Sequence, residues 1–155
     1  MDIIPSRRSV ALPYRTLLAF LEKRVFLPDI NPSYYHAFGI VLSVLYLYAR
    51  TPGLKMVIIV LIILADWLDG ATARRYNKGR RAGYIIDVVT DRVSEAFIFS
   101  AESGTVVGQI FFLLWFINLI LAFYSVYSNK HSSLPLRFVY LMALIAQVWG
   151  RRPSF

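Results

Sequence analysis

The chain has 155 residues, 57% of them hydrophobic, and a mean hydropathy of +0.55. This length and composition indicate a single integral membrane domain over residues 1–155 rather than a soluble core. The net charge of +8 does not predict nucleic-acid binding, because the basic residues flank apolar segments, where they are placed to meet anionic lipid headgroups. The absence of cysteine excludes a disulfide framework and a thiolate metal site.

The first predicted element is an amphipathic helix over residues 13–27. Leucine and valine recur there at helical spacing, but the segment is too short and too charged to cross a bilayer. It is expected to lie in the membrane interface, or else to pack as a cytosolic helix on the protein. Pro28 ends it, and Asn31-Pro32-Ser33 resembles the start of the next helix.

Five apolar segments follow, and each is predicted to span the membrane. The third is weakly hydrophobic because it contains charged residues, and the last is the shortest. The expected fold is therefore an all-α integral membrane protein with an interfacial helix and about five transmembrane helices. The predicted spans are 33–49, 54–76, 83–102, 106–128 and 134–149.

The distribution of Lys and Arg predicts the orientation. If the N-terminus is cytosolic, twelve of the 17 basic residues lie on that side and four on the other, with Arg92 inside a span. This arrangement predicts a multi-pass protein of the cell membrane. It places the end of the second span and the start of the third at the cytosolic face.

Acidic residues are concentrated at this junction. Five of the nine in the chain lie between residues 66 and 95. Asp66 and Asp69 share one helical face, and Asp87 and Asp91 form a stripe on the next helix. Clustered carboxylates repel one another unless one stays protonated or a cation joins them. All-oxygen ligands without Cys or His in the stretch favour Mg2+ or Mn2+, and both bind phosphates.

The same stretch reads Asp-x2-Asp-Gly-x2-Ala-Arg-x8-Gly-x3-Asp-x3-Asp from Asp66 to Asp91. It resembles the signature of the CDP-alcohol phosphatidyltransferases at every defining position. The resemblance implies phospholipid biosynthesis by a six-span homodimer. In that reaction an alcohol attacks a CDP-linked lipid and CMP leaves.

The resemblance also implies roles for individual residues. Asp66, Asp69 and Asp87 would hold metal, and Asp91 would contact a second Mg2+ or Mn2+ ion and act as the base. Small residues and one arginine would line the cytidine and phosphate pocket. These pocket residues are Gly70, Ala73, Arg74 and Gly83, with Arg80 as either a further phosphate contact or a solvated residue.

The acceptor is predicted from a shorter segment. Asp91-Arg92-Val93-Ser94-Glu95 resembles the synthases of phosphatidylinositol phosphate and archaetidylinositol phosphate, which makes inositol phosphate the first choice. Arg92, Lys130 and Arg137 are the acceptor candidates. Arg92 could instead pair with Glu95, three residues on. Where the family usually has Pro-Asn-x-x-Thr, this chain has Pro32-Ser33-Tyr34-Tyr35-His36, and His36 is expected to face a polar pocket.

Four alternatives remain open from the sequence. The acceptor could be glycerol phosphate or serine. Because only five spans are predicted, the chain could be a catalytically incomplete subunit that binds nucleotide or metal. The carboxylates could also serve an ion or proton carrier.

Overall fold

A computed structural model describes residues 24–25, 27–78, 81–128 and 133–150. The described residues form five helices and no strand, which confirms the all-α prediction. The predicted amphipathic helix at 13–27 falls almost entirely outside the described residues. The helices are α1 (Ser33–Tyr46), α2 (Pro52–Arg75), α3 (Arg81–Ala101), α4 (Val106–Ser128) and α5 (Leu136–Gly150).

Local capping explains where α1 and α2 begin. The backbone N–H of Ser33 donates to Asn31 Oδ1 at 3.1 Å. At α2, the backbone N–H of Leu54 donates to Thr51 Oγ1 at 3.3 Å, and Pro52 occupies the first helical position. At α2 the Thr51 hydroxyl accepts one otherwise free N–H of the first turn, and Pro52 has no N–H to leave free, so this start is encoded locally.

The end of α2 is closed by a left-handed residue and then anchored. Asn77 has φ 52°, and the N–H of Lys78 donates to the carbonyl of Ala73 at 2.9 Å. This is the bond pattern that terminates a helix at a left-handed C′ residue. The hydroxyl of Tyr76 then donates to the carbonyl of Leu27 at 2.6 Å. The acidic end of α2 is thereby held against the segment that precedes α1.

The five helices pack as a closed ring. Around it, α1 contacts α2, α2 contacts α5, α5 contacts α4, α4 contacts α3, and α3 returns to α1. The two helices that carry the acidic stripes, α2 and α3, thus pack on α1 rather than extensively against each other. The site is therefore built from α1, α2 and α3. A fourth helix, α5, packs on α2 and also reaches the site.

An aromatic cluster fills the ring at the end away from the acidic stripes. The rings of Phe99 and Phe111 lie edge-on to Tyr140, with centroids 5.6 Å and 4.9 Å apart. The hydroxyl of Tyr46 donates to Glu102 Oε1 at 2.9 Å. Edge-on aromatic pairs stabilise by about 0.5–1.5 kcal/mol each. These contacts join α1, α3, α4 and α5 at one pole.

The outside of the ring is apolar. Large hydrophobic side chains are exposed along α1, α2 and α4, which is expected where lipid replaces water. By length and composition, α2 and α4 could cross a membrane, with window hydropathies of 2.0 and 2.3. Of the other predicted spans, α1 has 14 residues and α5 has 15, and α3 carries charged residues.

Glycine at position 108 is required by the turn between α3 and α4. A Cβ there would lie 1.8 Å from the backbone oxygen of Glu102. We expect Gly108→Ala to lower the free energy of unfolding by about 1–3 kcal/mol or more, because the backbone must move. Thermal unfolding in detergent measures this. Gly104→Ala, in the same turn with no atom within 4 Å of its Cβ, is the matched control and should change little. Equal melting temperatures for the two variants would contradict this packing.

Candidate active site

An arginine from α5 joins the two acidic stripes. One terminal nitrogen of Arg137 pairs with Asp66 Oδ2 on α2, and the other pairs with Asp91 Oδ1 on α3. Its Nε lies 3.8 Å from Glu95 Oε1. Arg137 is buried, and its planar fork presents a separate nitrogen to each carboxylate. Three helices are therefore coupled through one guanidinium.

The other two motif aspartates meet a histidine from α1. Ligand atoms of His36, Asp69 and Asp87 all lie within 4.8 Å of one another. His36 Nε2 is 3.5 Å from Asp69 Oδ2. Asp69 is buried, and its Oδ1 has no hydrogen-bond partner among the described residues. The structure thus divides the four predicted metal ligands into two pairs, one facing Arg137 and one facing His36.

The two pairs form one electrostatic cluster. The charges of Asp69, Asp87 and Asp91 all act on Asp66. Carboxylates this close, one of them buried and three half-buried, are costly unless cations neutralise them. The unpartnered oxygen of Asp69 and the hard oxygen donors around it fit a divalent cation such as Mg2+ or Mn2+. The donor set therefore suits the kind of ion that the sequence predicts.

The predicted pocket residues lie beside this cluster. The guanidinium of Arg74 lies against the backbone of Gly70, so that a Cβ there would be 2.9 Å from Nη1. Gly83 is exposed at the start of α3, with no atom within 4 Å of a Cβ. Ala73 is half-buried. Arg80 lies outside the described residues.

The structure describes two of the three predicted acceptor residues, and these two have different partners. Arg92 is buried, and its Nη1 lies 2.9 Å from Glu95 Oε2, as the pairing alternative predicted. The indole N–H of Trp115 donates to the carbonyl of Arg92 at 2.9 Å, and Asn118 donates to Glu95 Oε2 at 3.3 Å. Of the three candidates, Arg137 reaches the motif aspartates, whereas Lys130 lies outside the described residues.

His36 is the site residue whose role sequence reasoning missed. Its polar surroundings were expected, but its approach to Asp69 and Asp87 was not. The available signal was the departure from Pro-Asn-x-x-Thr at a fixed distance before the first span. Thr90, which contacts His36 Nδ1 at 3.4 Å, carried no signal, since hydroxyls are common in helices.

Comparison with known proteins decides the family. The model of the family described as CDP-alcohol phosphatidyltransferase matches residues 32–150. The chain belongs to the CDP-alcohol phosphatidyltransferase family. This confirms the family resemblance predicted from the motif.

The chain is also similar to an uncharacterized protein of Aquifex aeolicus (strain VF5). The two are 36% identical over 76 residues, which cover 47% of this chain and 39% of the relative. The chain therefore matches less than half of that relative's length. No solved structure matches.

Removal of the Arg137 charge leaves Asp66 and Asp91 facing each other. We expect Arg137→Gln to lower the melting temperature. The loss in free energy of unfolding should be smaller than the about 3–5 kcal/mol of a fully buried pair, because these carboxylates are 37% and 28% exposed. Added Mn2+ should stabilise the variant more than the wild type, because it replaces the lost positive charge.

Thermal unfolding with and without Mn2+ measures both effects. Arg81→Gln, which alters an exposed arginine at the start of α3, is the matched control. If Arg137→Gln melts at the wild-type temperature, Arg137 does not hold the two stripes together.

Proposed function

We propose that this chain transfers a phosphatidyl-type group from a CDP-linked lipid to a polar alcohol and releases CMP. The observation that carries the proposal is the convergence of all four motif aspartates in one cluster between α2 and α3, with His36 and Arg137 at its edges. Family membership supplies the reaction class.

In the proposed reaction the hydroxyl oxygen of the alcohol attacks the lipid-proximal phosphorus. The bond from that phosphorus to the CMP oxygen breaks. The hydroxyl proton passes to the carboxylate of Asp91, which Arg137 holds in place. Arg74, with Gly70, Ala73 and Gly83, forms the nucleotide and phosphate pocket. Arg80 adds a phosphate contact.

Asp66, Asp69, Asp87 and Asp91 would hold two Mg2+ or Mn2+ ions. When bound, these ions would neutralise the pyrophosphate and stabilise the departing CMP. Besides binding the ions, the aspartates orient the substrate phosphates at the boundary between the two helices.

Inositol phosphate is the proposed acceptor, with glycerol phosphate or serine as alternatives. Arg137 pairs directly with the base Asp91, so an acceptor phosphate that took the place of Asp66 on this guanidinium would bring the acceptor hydroxyl close to Asp91. Arg92 would act through Glu95, which faces both arginines. Lys130 is the further candidate contact.

We place the active site at the cytosolic face of a multi-pass protein of the cell membrane. The basic residues around the loop between α2 and α3 support this orientation. A water-soluble acceptor and a lipid tail could meet there. The proposed partners are the CDP-linked lipid, the acceptor, membrane lipids and a second copy of the chain in a homodimer, with no nucleic acid.

Substitution of the proposed base by its amide should slow turnover strongly, while the amide oxygen can still accept a hydrogen bond from Arg137. We expect Asp91→Asn to reduce CMP release from a CDP-linked lipid by about 10²–10⁴-fold, the usual contribution of a general base. Asp29→Asn is the control, because Asp29 is exposed and pairs with Lys78 at 2.5 Å outside the cluster. A folded Asp91→Asn protein that turns over at the wild-type rate would rule out Asp91 as the base.

An assay with a panel of candidate alcohols identifies the acceptor. Purified wild type is assayed for CMP release with inositol phosphate, glycerol phosphate, serine and inositol. We expect release with inositol phosphate and not with inositol, because a phosphate that took the place of Asp66 would pair with Arg137 beside Asp91. Release with serine alone, or with both inositol and inositol phosphate at similar rates, would contradict a phosphorylated acceptor.

A further inference from the structure

His36 is placed between the two helices that carry the motif. It lies on α1, and its side chain is only 8% exposed. One ring nitrogen faces Thr90 on α3 and the other faces Asp69 on α2. The histidine therefore belongs to the interior of the site and is not a surface residue.

The hydroxyl of Thr90 determines which nitrogen carries the ring proton. Thr90 Oγ1 lies 2.8 Å from the carbonyl of Ile86 and 3.0 Å from that of Asp87, and both carbonyls can only accept. The single hydroxyl proton is used there. Towards His36 Nδ1, at 3.4 Å, Thr90 Oγ1 acts as acceptor, and Nδ1 donates. In the neutral ring Nε2 then carries a lone pair.

Nε2 faces the carboxylate oxygens of Asp69 and Asp87, which are also acceptors. Nε2 is 3.5 Å from Asp69 Oδ2, and a carboxylate oxygen of Asp87 completes a group within 4.8 Å. An N–H···O bond from a protonated ring would be near 2.9 Å. By contrast, two ligands that are each about 2.1 Å from one ion lie roughly 3–4 Å apart. Asp69 Oδ1 is buried with no hydrogen-bond partner among the described residues, which leaves this oxygen available to a cation.

We propose that His36 is a nitrogen ligand of the metal centre, together with Asp69 and Asp87, and that it makes the centre prefer a transition-metal ion such as Mn2+ or Co2+ over Mg2+. Imidazole favours transition metals, whereas Mg2+ favours oxygen donors alone. Thr90 is the residue that orients the ring and fixes its tautomer. The inference rests on the proposed function, because it concerns the same centre, and specifies which ion that centre uses.

The direct test is pulsed electron paramagnetic resonance on the full chain in detergent, loaded with Mn2+. We expect a coupling from imidazole ¹⁴N that becomes a ¹⁵N coupling when histidine is ¹⁵N-labelled. The chain has two histidines, so His131→Gln is the matched control and should keep the coupling, whereas His36→Gln should lose it. Labelling of the wild type needs no substitution at the site, so the test holds even if His36→Gln fails to fold.

A competition titration between Co2+ and Mg2+ tests the metal preference of the centre. We expect His36→Gln to lower the affinity for Co2+ relative to Mg2+ by about tenfold or more, and Thr90→Val to weaken Co2+ binding by about tenfold. Bound Mn2+ without nitrogen coupling, or coupling that depends on His131, would overturn the proposal. An unchanged Co2+ to Mg2+ ratio in His36→Gln would overturn the preference.

None of these readouts needs turnover. Nitrogen coupling without CMP release would support His36 as a ligand and count against the transferase proposal. CMP release without nitrogen coupling would leave the transferase proposal in place and remove His36 from the centre.

Discussion

Four carboxylates of like charge from two helices converge in a structure whose exterior is apolar. At about 4 Å, two such charges repel by about 4 kcal/mol even at an effective dielectric constant of 20. Positive charge must therefore be delivered from elsewhere in the fold. α5 supplies Arg137 to Asp66 and Asp91. At Asp69 and Asp87 a bound cation would supply it in the proposed function, and the packing of α1 against both motif helices brings His36 to that position.

The opposite end of the ring is built differently. Tyr46, Glu102 and Lys55 form a buried polar network there, beside the rings of Phe99 and Tyr140. Each charged group in that network has a partner, so the network holds these helix ends in fixed positions. At the acidic end, Asp69 Oδ1 has no hydrogen-bond partner in the described part of the chain, and the surface at Gly83 is open. In the proposed function, the closed pole positions the helices, and the open pole receives the nucleotide and the acceptor.

The sequence predicted those features that depend on local chemistry. Apolar runs located the five helices within a few residues, and i, i+3 and i+4 spacing placed the acidic stripes. The observed helix bounds differ from the predicted ones where a turn sets the end of the helix. For example, α1 ends at Tyr46, whereas the prediction extended it to residue 49. The contact of Gly108 with the Glu102 carbonyl depends on how two helices meet, and no local pattern encodes it.

The partners of the acidic stripes could not be predicted from spacing either. Arg137 was singled out by its resemblance to acceptor-binding arginines, but its bridge between Asp66 and Asp91 depends on the ring order of the helices. His36 and Thr90 come together from helices separated by the whole of α2. Such contacts follow from tertiary packing alone.

If the carboxylate cluster is a metal-dependent catalytic centre, the protein needs a divalent cation to release CMP from a CDP-linked lipid. We would measure CMP release from protein stripped of metal by a chelator and then titrated with Mn2+. We expect no release in chelator and full recovery as the metal site fills. Release that persists in chelator at the same rate would show that the cluster is not a metal-dependent catalytic centre.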